Sequence, residues 1–378
     1  MKYDIVIVGA GISGATLAER FANKLNKKVL VLEKREHIGG NCYDHIDDAG
    51  ILVSKYAAHI FHTSHEDVWQ YVNKFSRWHP YFHKVLSSVD GKLVPIPVNI
   101  TTVNTLFNLS LKNEEEMKDW LASQVVKIEH PKNGEESALS RVGPILYEKM
   151  FKNYTTKQWD TDPKNLDKSI LDRIPVRFDF NDQYFSDPHQ AMPTDGYTRI
   201  FENMLKNPNI TVMLNTDYFS VQKDIEDYEQ LFFTGPIDQF FGYKLGKKLQ
   251  YRSLRFEFET HNKEYFQSNS VINYPNENDF TRIVEFKYLT GQRHSKTTIV
   301  REYPTWEGEP YYPVINPENL ALFDEYAKEA NKSETRKVHF VGRLANYKYF
   351  NMDQAFKNSL DLFYRLNPTV TVEYMQNE

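Results

Sequence analysis

The chain has 378 residues, enough to bury a large core and to form two or three domains. A formal charge of −5 and a pI near 6.2 exclude a general attraction for nucleic acid or anionic membrane, and no run of about eighteen apolar residues is present to span a bilayer. The single cysteine, Cys42, excludes an intrachain disulfide and any paired-thiol metal or redox site. The chain also enters a strand almost at once with no signal-peptide plan, so a reducing cytoplasm is the expected compartment.

In chain order, Tyr3 to Val8 reads as a buried strand, followed by the turn Gly9-Ala10-Gly11-Ile12-Ser13-Gly14. Ile12, Ala15, Ala18, Phe21, Ala22 and Leu25 then keep helical spacing, and Val29 to Leu32 forms a second strand closed by Glu33. Gly9 permits a tight turn, Gly11 lets backbone approach a pyrophosphate, and Gly14 lets the helix sit close to the strand with its N-terminus facing the anion. Glu33 lies 19 positions after Gly14, where a carboxylate accepts from ribose hydroxyls and repels a 2′-phosphate. An unliganded strand-turn-helix would not need all of these together. Lys34, Arg35 and the pair Gly39-Gly40 before Asn41 resemble the extended clamp of glutathione-reductase-like flavoproteins, which favours FAD over NAD.

Leu52 to Phe61 reads as irregular or short-strand structure leading into His59-Ile60-Phe61-His62. That histidine pair has helical metal-ligand spacing, but no carboxylate or cysteine joins it. A short helix is predicted from Trp69 to Trp78 and a hairpin from Val85 to Pro97 around Asp90-Gly91. Between about Thr101 and Gln158 the pattern is helical, with Lys127 to Glu136 as an inter-helix loop. A polar, Pro-containing segment follows at about 160–176, readable as a connector or as a mobile loop. Ile210 to Leu214 and Gln230 to Thr234 read as strands. Leu249 to Pro304 carries the short β-branched and aromatic runs of an antiparallel sheet. Pro317 to Asn331 reads as a helix, Val338 to Val341 as a last buried strand ending at Gly342-Arg343, and a helix starts near Met352-Asp353. The expected class is α/β, with a discontinuous FAD-binding Rossmann-like domain (1–84, 190–243 and 334–378). A helical domain is inserted at 99–164, its mobile loop follows at about 160–176, and an antiparallel β-sheet domain takes 85–98, 177–189 and 244–333.

No GxSxG elbow, HExxH, phosphate-binding loop or partnered cysteine occurs, so a flavin would have to carry the reaction while the protein supplies position and charge. With 24 Tyr, 25 Phe and 5 Trp, a single aromatic residue is ordinarily packing, and only groups of residues persuade. Such groups exist: HIFHT (His59 to Thr63), YTTKQW (Tyr154 to Trp159), RIPVRF (Arg173 to Phe178), YFSD (Tyr184 to Asp187), TGPID (Thr234 to Asp238), YRSLRFE (Tyr251 to Glu257), EPYYPV (Glu309 to Val314) and GRLANYKY (Gly342 to Tyr349). In these motifs the chain resembles the bacterial UDP-galactopyranose mutase family, from the clamp to about residue 360.

The resemblance implies a non-redox isomerisation of UDP-galactopyranose and UDP-galactofuranose, through an adduct between reduced FAD and the sugar's anomeric carbon. It implies that Arg173 and Arg282 hold the diphosphate, Arg173 from a mobile loop. Tyr184, Tyr312 and Tyr349 would support the diphosphate, Tyr154, Thr155, Trp159 and Asn273 would face the nucleotide, and His83 would join the substrate contacts. His59 and His62 match histidines beside the isoalloxazine. The implied cofactor contacts are Gly9, Gly11, Ser13, Gly14, Glu33, Lys34, Gly40, Asn41, His59, Ile60, Asp217, Tyr218, Arg343, Met352, Asp353, Gln354 and Ala355. A homodimer and an external reductant such as NAD(P)H are implied as well. Three positions depart from the pattern: Ala57 and Asp160 where glycine is usual, and Asn351 where aspartate is. UDP-N-acetylgalactopyranose is an alternative substrate. An FAD oxidoreductase of the amine-oxidase type and a non-catalytic nucleotide-sugar sensor are the rival functions.

Overall fold

The computed structural model describes residues 2–172, 176–225, 227–332 and 337–371. A five-stranded sheet runs Ile210–Met213, Val29–Leu32, Ile5–Val8, Gln230–Phe233, Val338–Phe340, with every neighbouring pair parallel. Alternation along the strands makes two apolar faces, as a parallel sheet requires. Ile5, Ile7, Val29, Val31 and Phe232 join the main core. Val6, Leu30, Leu32, Leu231 and Phe233 pack in a second cluster with Tyr218. Helices Ile12–Leu25 and Met352–Leu366 cover the first face, where Phe21 meets Phe363 and Phe232 with ring centroids 5.1 Å apart in each case.

A seven-stranded sheet runs Tyr312–Pro313, Tyr251–His261, Thr297–Thr305, Arg282–Glu285, Val271–Asn273, Val85–Val89, Lys92–Ile96. It is antiparallel except where Val271–Asn273 pairs parallel with Val85–Val89. These two strands lie far apart in sequence, so no tight turn dictates their direction, and local pattern could not reveal the parallel join.

Some local expectations are corrected. The helix predicted over Trp69 to Trp78 occupies Glu66–Val72 instead. Trp78–Pro80 is a strand of a three-stranded sheet with Phe61–Thr63 and His189–Pro193. The loop predicted to reach Glu136 ends earlier, because the Asn133 side chain accepts from the Glu136 amide at 2.9 Å and starts a helix at Gly134. Residues 160–172 hold two short turns, Pro163–Asn165 and Ser169–Asp172, with Leu166 and Leu171 buried.

Candidate functional site

A cleft lies at the carboxyl ends of the parallel strands, where such sheets bind ligands. Gly9 has φ +103°, and a Cβ there would stand 2.1 Å from Thr234 Oγ1. A Cβ on Gly40 would stand 2.9 Å from Gly11 Cα, so two glycine turns meet with nothing between their backbones. Gly11 gives the helix Ile12–Leu25 no side-chain cap, which leaves its first amides to face a ligand. Glu33 is buried and holds the turn, accepting from Ala10 N at 2.8 Å and Arg35 N at 2.9 Å. Each carboxylate oxygen keeps a free lone pair for a ribose hydroxyl. This bare backbone cradle beside an anchored carboxylate fits a flavin dinucleotide.

Of the expected cofactor residues, Gly9, Gly11, Ser13, Glu33, Lys34, Gly40, Asn41, His59, Asp217, Tyr218, Arg343, Met352 and Ala355 line this cleft. Gly14, Ile60, Asp353 and Gln354 are not in its lining. Gly14 lies under the turn, where a Cβ would meet Gly9 O at 1.8 Å. Ile60 packs on the main core, Asp353 is buried, and Gln354 Oε1 accepts from Asn351 N at 2.9 Å. Arg35, named above in the extended clamp, lines the cleft too, and Thr234, Gly235, Glu309, Pro310 and Tyr311 also line it and were missed. The missed residues sit inside the quoted TGPID and EPYYPV motifs, which is the signal that could have found them.

His59 Nδ1 donates to the Ala57 carbonyl at 3.0 Å. Burial first, and then the Arg343 guanidinium, push its pKa down to about 4, so it is neutral at physiological pH. Ala57 itself has φ +74° and Asp160 has φ +49°, so the two departures from glycine both sit in the left-handed region that glycine favours. Ala57→Gly is therefore expected to raise stability by about 0.5–1 kcal/mol, read as a higher urea midpoint with an unchanged slope.

Arg343, in the lining of this cleft, also meets a group of aromatic side chains. Its guanidinium donates to Phe350 O and to Tyr311 O and lies 5.7 Å from the Tyr312 ring centre and 5.3 Å from that of Tyr349. Tyr312 and Tyr349 stack at 5.3 Å, and Trp159 stands 6.5 and 6.4 Å from them. The expected substrate residues Asn273 and Arg282 share one cross-strand row of the seven-stranded sheet: Ser87 beside Asn273, Asn273 beside Arg282, Arg282 beside Glu302. Arg282 Nε is 3.3 Å from Glu302 Oε2, and Nη2 donates to Tyr154 Oη at 2.9 Å. Burial opposes the charge on Arg282, yet Tyr154 and Glu302 together hold its pKa well above the usual value. Burial raises the Glu302 pKa against the pull of Arg282.

Among the described residues, Ser87 Oγ, Asn273 Oδ1 and Glu302 Oε1 are buried without a hydrogen-bond partner. Buried polar atoms are ordinarily paired, which sets these three apart within one row. Ser87 and Glu302 were not singled out in the sequence, because nothing local indicates that they share a row with Asn273 and Arg282. His62 Nδ1 bonds Asp187 at 2.8 Å, and its ring stacks on Phe185 at 3.6 Å. His83 is buried between them and Arg282, its pKa driven down to about 3 by burial first and then by Arg282 and His62. Tyr184 stands 5.8 Å from His83. Thr155 is buried on the helix Asn153–Trp159. Arg173 lies outside the described residues. No cluster of metal-ligating residues occurs among the described residues, the His59 and His62 pair included.

Residues 7–75 match an NAD(P)-binding Rossmann-like domain, and residues 149–349 match the family described as UDP-galactopyranose mutase. A dTDP-fucopyranose mutase of Escherichia coli is 38% identical over 94% of this chain and 96% of its own length. A probable UDP-galactopyranose mutase of Klebsiella pneumoniae is 38% identical over 94% and 93%. The crystal structure of a reduced UDP-galactopyranose mutase shares the fold with a TM-score of 0.77 at 16% identity, covering 99% of this chain and 95% of that one. Glycine cradle, flavin-type cleft, family match and full-length relatives agree: the chain belongs to the UDP-galactopyranose mutase family.

Proposed function

We propose that the protein interconverts the pyranose and furanose forms of a nucleotide-diphosphate-linked galactose-type sugar, with UDP-galactose as its substrate and FAD as its cofactor. The observation that carries this reading is the Arg282 row, a fixed cation among unpaired buried acceptors, joined to the flavin cleft through Arg343. Reduced FAD supplies the nucleophile for the anomeric carbon, and the remaining work falls to the chain. Arg282, held by Glu302 and Tyr154, stabilises the charge that grows on the departing diphosphate, a role for which preorganised cations are best placed. Arg173 would give the second cation. His59 and His83 are neutral, which leaves the balancing of the diphosphate charge to the arginines. Trp159, Tyr312 and Tyr349 wall the pocket and exclude water, with tyrosine hydroxyls available to phosphate oxygens.

A second reading, the same chemistry on a dTDP-linked 6-deoxy sugar, is favoured by the 38% identity to the Escherichia coli dTDP-fucopyranose mutase. The neutral Asn351 in the cleft lining leaves sugar preference open to both. A cytoplasmic homodimer kept reduced by NAD(P)H completes the proposal. Incubation with UDP-galactofuranose under dithionite, against an untreated aerobic control, should yield UDP-galactopyranose only in the reduced sample. Conversion of the dTDP-linked sugar alone would select the second reading. Substrate-dependent hydrogen peroxide would replace both with an oxidase.

A further inference from the structure

The helix Asn153–Trp159 carries Tyr154, Thr155 and Trp159, continues the π-helical turn Tyr147–Lys152, and stops at Asp160. A helix end leaves its last carbonyls without partners. Here those carbonyls are taken up from outside. Arg252 Nε donates to Gln158 O at 3.0 Å, Arg252 Nη2 to Lys157 O at 3.3 Å, and Thr161 Oγ1 to Trp159 O at 3.1 Å. Arg252 is 2% exposed and lies 4.4 Å from the ring centre of Trp306. Trp306 Nε1 in turn donates to Asp160 Oδ2 at 2.7 Å. Asp160 is the residue that ends the helix in the left-handed conformation, φ +49° and ψ +40°. The contacts close a ring: helix end, Arg252, Trp306, Asp160, helix end.

The same arginine ties the ring to the opposite wall of the pocket. Its strand pairs with Tyr312–Pro313, with Arg252 opposite Tyr312, and Arg252 O accepts from Tyr311 N at 3.0 Å. A shift of the helix end would therefore move Trp159 against Tyr312 and Tyr349. A glycine at 160 would adopt the turn without strain but could not reach Trp306. Asp160 accepts the conformational cost that aspartate tolerates better than most residues, and the indole hydrogen bond offsets it. Trp306 stays 44% exposed, a surface aromatic whose indole is engaged on both its face and its N–H.

We infer that Asp160, Arg252 and Trp306 form a latch that fixes the nucleotide-facing helix against the Tyr312 strand, making all three positioning residues for the nucleotide pocket. This rests on the nucleotide-sugar reading above. The test is titration of the oxidised holoenzyme with UDP, for the wild type, Trp306→Phe, Asp160→Ala, Asp160→Asn and the double variant Trp306→Phe/Asp160→Ala. Phenylalanine keeps a ring beneath Arg252 and removes only the N–H donor, while asparagine keeps an acceptor oxygen and the left-handed tolerance. Loss of one hydrogen bond should weaken UDP binding about three- to tenfold in Trp306→Phe and in Asp160→Ala. The double variant should be no weaker than the weaker single one, because both remove the same contact. Asp160→Asn should bind within about twofold of wild type, and Asp160→Ala should melt somewhat lower because alanine takes the left-handed conformation less readily, whereas Trp306→Phe should lose affinity while melting close to wild type, which a merely structural role would not produce. Wild-type binding with either single variant unchanged, or fully additive losses in the double variant, would overturn the latch alone. Absence of UDP binding by the wild type would overturn the nucleotide reading and the latch with it.

Discussion

Arg282→Ala is expected to lower turnover about a thousandfold while leaving the flavin bound, because it removes the cation placed for the leaving diphosphate and touches nothing in the glycine cradle. It also leaves Glu302, 2% exposed, without its partner. Stranding a buried carboxylate is costly, here about 3 kcal/mol or less, since the Arg282 side chain is itself 34% exposed. That stability loss has a sign. Burial already raises the Glu302 pKa in the folded protein, and loss of Arg282 removes the one opposing charge, so the native variant keeps its proton to higher pH than the unfolded chain does. The variant's stability should therefore rise as pH falls through the raised folded-state pKa toward the ordinary carboxylate range. Arg282→Met/Glu302→Gln should recover the melting temperature at neutral pH without recovering turnover. A steady-state assay, a flavin absorbance spectrum and melting curves at several pH values check all three expectations. Turnover near wild type with an unchanged flavin spectrum would remove Arg282 from the mechanism.

Gly14→Ala is expected to abolish flavin loading. An added Cβ would stand 1.8 Å from Gly9 O and 3.1 Å from Ile7 Cγ2, so the helix must move away from the strand that it covers. That movement opens the turn whose backbone approaches Gly40, and with it the slot that fits the pyrophosphate. The purified variant should be colourless and should melt several degrees lower, the range expected for overpacking costs of about 1–3 kcal/mol. A yellow Gly14→Ala protein with the wild-type flavin content would show that the close helix approach is dispensable.

The nucleotide clamp was legible because its parts are consecutive in sequence. A buried strand, a glycine turn and a helical apolar stripe declare themselves within thirty residues by period and by residue type. The family resemblance also implied Arg282, Asn273, Tyr312 and Tyr349, but it could not say which neighbours these residues have. Glu302 and Ser87 became part of the site only when strand pairing placed them in one row with Arg282 and Asn273. Register is a long-range property, and a slip of one residue would send each of these side chains to the other face of the sheet. The Asp160 to Trp306 bond, 146 residues apart, is of the same kind. Asp160 and Ala57 stood out in the sequence as departures from glycine, and only the backbone shows why glycine would suit both, since each sits at positive φ. The sequence by itself thus determined the α/β class, the cradle and the family, through local pattern and motif. The tertiary structure decided which polar groups meet across the sheet, because strand order and register depend on the packing of the whole core rather than on any one segment.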